Sequence, residues 1–200
     1  MKPWISKSAI AIAVAMVAAL PVLVHADTWQ IDSSHTNVEF TVRHMMISNV
    51  KGQFQKTLGT ITADGTDPAS AKIDATIDAS SVDTRVDKRD AHLKSPDFLD
   101  VAKFPTITFK STKIEAAGPN QWKVTGDLTV HGVTKPVVLD VEGAGAPIHD
   151  PTGHMRAGAS ATTKIDRRDF GLIWNKALEA GGVLVGNEVA ISIDVEAVKK

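Results

Sequence analysis

The chain has 200 residues, room for one domain or at most two small ones. Its 43% hydrophobic and 22% charged residues describe a globular protein, and the absence of cysteine excludes a disulfide scaffold, a thiol nucleophile, an Fe–S cluster and a Cys-ligated zinc. A formal net charge of -1 offers no basic excess to attract nucleic acid, which leaves a binding protein, a cysteine-free enzyme or a membrane-associated barrel.

Lys2 and Lys7 precede an apolar run from Ala9 to Val24, and Val24-His25-Ala26 has the form of a cleavage site. That pattern predicts a secretory leader over residues 1–26, with the domain running from 27 to 200. The run is shorter than the ~20 residues a spanning helix requires. Removing it leaves 20 basic and 23 acidic residues in an exported, periplasmic chain.

From there the sequence alternates apolar and polar residues with period two, the signature of half-buried strands. The clearest runs are Val38–Arg43, Ile73–Ala79, Trp122–Val130 and Val189–Val198. Shorter candidates are Trp29–Ile31, Phe54–Ala63, Thr106–Ile114, Val137–Val141 and Met155–Thr163. Turn-forming clusters separate them, among them Gly118-Pro119-Asn120, His131-Gly132 and Asp150-Pro151-Thr152-Gly153. The connections are too short for crossover helices, so eight or nine antiparallel strands are expected. Three segments read as helical: Asp83–Lys94, a turn begun by Ser95-Pro96-Asp97 and running through Phe98 and Leu99, and Asn175–Ala180. The expected fold is all-β, an antiparallel eight-stranded barrel with one or two short helices. An outer-membrane barrel needs aromatic girdles. Past the leader there is no Tyr and only three Trp, and Glu39, Arg43, Lys123 and Asp127 on the polar faces suit water.

Seven segments then occur in a telling order. They are Trp29-Gln30-Ile31-Asp32-Ser33-Ser34-His35; Val38 to His44; Val50-Lys51-Gly52-Gln53-Phe54; and Ser81-Val82-Asp83-Thr84 leading to Arg89 through Phe98. Phe104-Pro105 before Ile107-Thr108-Phe109, Gly126 through Val137, and Arg167 through Leu172 complete the series. In this the chain resembles the YceI-like family of exported lipid- and polyisoprenoid-binding proteins. The resemblance implies a lipocalin-like barrel holding a long isoprenoid chain non-covalently, with no other cofactor. A prenyl diphosphate or an isoprenoid quinone is the type of ligand it implies. Burying each methylene is worth ~0.8 kcal/mol, so a prenyl tail carries ample driving force. The expected partners are that lipid and, transiently, a membrane, with no nucleic acid, in a monomer or homodimer.

Alternation and residue size nominate Val38, Phe40, Val42, Phe54, Phe98, Phe104, Phe109, Leu128, Phe170 and Trp174 for the tail. His44, Arg89, His92 and Arg167 are the head-group candidates, although acids interleave with the cations of this region, a pattern that more often marks a solvated helix face. No catalytic or metal site is expected. Asp32-Ser33-Ser34-His35 holds the residue types of a hydrolase triad, but so close along one stretch that local turn bonds are the simpler reading. A hydrolase or isomerase using His44 or His35 as base is the alternative to a carrier.

Overall fold

The computed structural model describes residues 26–64, 67–143, 145–179 and 181–200. Of the expected leader only Ala26 lies among them, as the first residue of a strand. Twelve strand segments are present among these residues: β1 (Ala26–Ile31), β2 (Asn37–His44), β3 (Ser48–Phe54), β4 (Thr57–Asp64), β5 (Lys72–Asp78), β6 (Val82–Asp83), β7 (Thr106–Gly118), β8 (Gln121–Val130), β9 (Val133–Glu142), β10 (Ile148–His149), β11 (Met155–Asp166) and β12 (Val185–Lys199). One helix, α1, spans Asp87–Lys94.

Three pairs of segments are single bent strands. β1 continues into β2 and β3 into β4, and β5 runs into β6 through a 3-10 turn. The bends are written in short polar side chains. Asp32 Oδ1 accepts the Ser34 N–H at 3.0 Å, and Asp78 Oδ1 accepts the Ser80 N–H at 2.9 Å. Ser81 then fills the β3–β4 bend, accepting the Lys56 N–H on its hydroxyl and the Gln55 N–H on its carbonyl. Counted by walls, eight antiparallel strands follow one another around a ring. Each pairs with its chain neighbour, and β12 closes the ring by pairing with β1 and β2 on one edge and β11 on the other. The expected eight-stranded antiparallel barrel is the fold.

The inserts differ from expectation. The helical stretch begins at Asp87, because Val82-Asp83 pairs with β3 and Arg85 takes a left-handed φ of 66°. Ser95-Pro96-Asp97 does open a short turn through Phe98 and Leu99: the Ser95 hydroxyl oxygen accepts the Asp97 N–H at 3.3 Å while its hydrogen goes to the His92 carbonyl at the end of α1. No helix forms after Asn175 among the described residues. The Asn175 side chain both accepts from the Val185 N–H and donates to its carbonyl, which draws the segment into a narrow loop bridged at Ala177 and Val183.

The outer face carries ion pairs such as Lys110–Asp74, Lys123–Asp140 and Lys164–Glu188. At the end that holds α1, Ala79, Val82, Leu99, Ile107, Val130 and Phe170 form one buried cluster. The first and last described strands meet at the opposite rim, where Trp29 pairs with Lys199 and the Lys200 N–H reaches the Thr28 carbonyl.

Candidate functional site: the inner wall of the barrel

Residues opposite each other in a ladder share a face, so the register assigns the inner wall. Val38, Phe40 and Val42 face inward opposite Ile193, Ile191 and Val189 on one side and Phe54, Gly52 and Val50 on the other. Phe109 faces inward opposite Leu128 and Ala75. Phe54 meets Phe40 with ring centroids 5.8 Å apart. Six of the tail candidates, Val38, Phe40, Val42, Phe54, Phe109 and Leu128, thus share the inner face by register.

That wall is not uniformly packed. Val38, Val124 and Ala161 are buried, whereas Phe40, Ile61, Ile73, Phe109, Leu139, Val141 and Ile191 point inward and remain half-buried. An inward apolar side chain in a closed ring keeps accessible surface only where there is space beside it. Two polar atoms on this lining are buried with no protein partner, Thr57 Oγ1 and Trp122 Nε1. Ile61, Ile73, Leu139, Trp122 and Ile191 were not among the sequence candidates. Their signal was the same period-two parity, carried through from the paired strands.

Two glycines shape the lining. A Cβ at Gly52 would lie 2.4 Å from Phe40 Cζ, and one at Gly126 would lie 2.4 Å from Phe109 Cζ. Both rings therefore lie flat against the neighbouring strand's backbone, along the wall instead of across the interior.

The remaining aromatic candidates close the α1 end. His92, Phe98 and Trp174 stack at centroid distances of 4.8 to 5.2 Å, and Phe104 packs edge-on to His131 at 4.6 Å. Phe170 is buried in the cluster beneath. Of the head-group candidates, His92 Nε2 lies 2.8 Å from Asp97 Oδ2. Arg89 donates to the Thr84 hydroxyl and carbonyl. Arg167 is buried, and its guanidinium donates to the carbonyls of Gly186, Leu172 and Val185 and to Asn187 Oδ1. Burial lowers its pKa against the raising effect of Asp166. His44 sits at the last position of β2, inward by register, opposite Ser48.

The Asp32–His35 stretch does form an acid–base pair, with Oδ2 and Nδ1 2.9 Å apart. Neither serine completes a triad: Ser33 Oγ accepts the Thr57 N–H, and Ser34 offers Asp32 its backbone N–H. Arg156 dominates instead, donating to Asp32 at 2.8 Å, Glu196 at 2.5 Å and Asp150 at 2.7 Å. This guanidinium, with help from His35 and the Ser34 N–H, holds the Asp32 carboxyl well below the usual carboxylate range. Arg156 and the Thr152 hydroxyl do the same for Asp150. Ligand atoms of Asp32, His35 and Glu196 approach one another within 4.8 Å, but the Arg156 charge between two of them opposes a metal cation.

Residues 29–197 match the YceI-like domain family. The chain belongs to that family. A UPF0312 protein of Vibrio cholerae is 38% identical over 168 residues, covering 83% of this chain and 88% of the relative. One from Staphylococcus aureus is 37% identical over 165 residues, covering 82% and 94%. Among solved structures, the Campylobacter jejuni YceI protein is 35% identical, with a TM-score of 0.67 over 79% of this chain and 90% of that one. A polyisoprenoid binding domain from Saccharophagus degradans, implicated in plant cell wall breakdown, is 15% identical with a TM-score of 0.63, covering 86% of this chain and 98% of that one, a likeness of fold.

Proposed function

We propose that this YceI-like protein is an exported, periplasmic carrier or sequestering protein that binds a polyisoprenoid or similar long-chain amphiphile non-covalently inside the barrel. The observation that carries this reading is the inner wall: apolar, inward-facing and half-buried at Phe40, Ile61, Ile73, Phe109, Leu139 and Ile191. Apolar surface left accessible inside a ring is a standing gain of about 25 cal/mol per Å² for any chain that covers it. The binding named for the Saccharophagus degradans domain agrees with this reading. The Asp32–His35 pair gives the enzymatic alternative no support, since Arg156 claims the carboxylate and no hydroxyl among the described residues is bonded to the imidazole.

The test is native mass spectrometry of protein purified from its own periplasm, followed by lipid extraction. A long-chain amphiphile should leave with the protein. The Phe40→Trp and Phe109→Trp variants, whose larger rings fill the interior, should fold and lose that lipid. A folded wild-type protein with no extractable lipid and no uptake of added prenyl lipid overturns the reading.

A further inference from the structure

The ring is not equally sealed at every seam. β9 and β11 pair over only three residues, Asp140–Glu142 with Ser160–Thr162. The rest of β9, from Val133 to Leu139, pairs with β8 alone, and Thr163–Asp166 of β11 pairs with β12 alone. One side-chain bond spans the gap beyond, from the Thr163 hydroxyl to the Val138 carbonyl at 2.8 Å. Pro136 lies within this unpaired edge, where a missing N–H costs no ladder bond.

Lys135 occupies the same edge. It stands opposite Leu128, between the inward positions Val133 and Val137, so the register puts it on the inner face. It is nevertheless exposed, and no acid or other partner meets it among the described residues. The acids of the facing strand and its neighbour are already engaged: Asp166 by Arg168 and Glu188 by Lys164. Val133, Val137 and Ile165 beside it pack on the buried cluster. The register has thus placed a cation on an apolar wall, beside the unpaired edge, exposed and with no carboxylate within ion-pair distance among the described residues. An ordinary solvated lysine faces outward.

We infer that the β9–β11 seam holds the anionic head of the bound lipid, and that Lys135 Nζ donates to its phosphate oxygens while the tail lies along the inner wall. This rests on the lipid-binding reading above and names the head-group class. A phosphate at an exposed seam stays partly hydrated, so its charge need not be buried, and a lysine suits it as a compact point charge with three donors.

The experiment titrates the wild-type protein and Lys135→Met with geranylgeranyl diphosphate and, separately, with geranylgeraniol. Met keeps the apolar stem and removes the charge. The variant should bind the diphosphate about tenfold more weakly, the scale of one charge-assisted hydrogen bond, and the alcohol equally well. The difference between the proteins should shrink as salt rises. Equal affinities of both proteins for the diphosphate, or an equal loss for both ligands, overturns the role of Lys135 while lipid binding stands. Failure of the wild-type protein to bind either ligand removes the lipid-binding reading itself.

Discussion

Gly52→Ala tests whether the Phe40 ring lies along the wall. The new Cβ would sit 2.4 Å from Phe40 Cζ, 2.8 Å from Cε1 and 2.7 Å from Thr84 Cγ2, where carbon atoms settle at about 3.5–4.0 Å. All three obstacles are side-chain atoms, so the ring must lift by about an ångström, and the free direction is the interior. Such overpacking costs about 1–3 kcal/mol, while replacing a strand glycine returns about 0.5–1 kcal/mol. A net loss of about 1–2 kcal/mol follows. Phe40→Leu in the same background takes the offending ring atoms away. The double variant should then be more stable than the two single effects predict, by about 1 kcal/mol or more. Urea unfolding at neutral pH, followed by the fluorescence of Trp29, Trp122 and Trp174, measures all four corners of the cycle. Additivity within about 0.5 kcal/mol, or a Gly52→Ala protein as stable as wild type, would refute the flat placement of the ring.

Phe170→Ala empties the largest fully buried position of the α1-end cluster and should cost about 3–5 kcal/mol in the same assay. The acid limb of stability should follow the clamped carboxylates. Asp32 and Asp150 are held below the usual range, and Asp166, beside Arg168, at about 2. Because these folded-state values are depressed, their stabilisation is complete above the ordinary carboxylate pKa of about 4. It should drain away as the pH falls from there towards 2. Arg156→Met should lower the melting temperature at pH 7 and flatten the decline between pH 4 and 2; an unchanged acid slope would show that the clamp contributes nothing.

Much of this architecture was legible because a strand repeats every two residues. The parity of Val38, Phe40 and Val42, or of Trp122 to Val130, survives any error in strand ends, and it delivered the inner face directly. Bends were less visible. Phe54–Ala63 reads as one strand, yet Gln55 and Lys56 bond to Ser81 from a distant part of the sequence and break it in two. The Asn175 segment failed as a helix for a related reason, since its amide is satisfied by Val185 ten residues on. Arg89 and Arg167 looked like free cations in the sequence, and only the folded chain reveals the Thr84 oxygens and the carbonyls of β12 that occupy them. Lys135 was hidden by its setting: a lone lysine in Thr-Lys-Pro looks like solvent, and only the register places it on the inner face.

The ring's connectivity also dictates how it can assemble. Every joint but one zips a wall onto the wall synthesised just before it, and where a tight hairpin makes the joint it closes in roughly 1–10 μs. The exception joins the last strand to the first, where Trp29 must find Lys199 and Phe40 must find Ile191. A chain lacking its final strand would be a curled sheet with two raw edges and its greasy concave side open. Closure of that one long-range joint, slow because the whole sequence must be looped to make it, is what turns a sheet into a container.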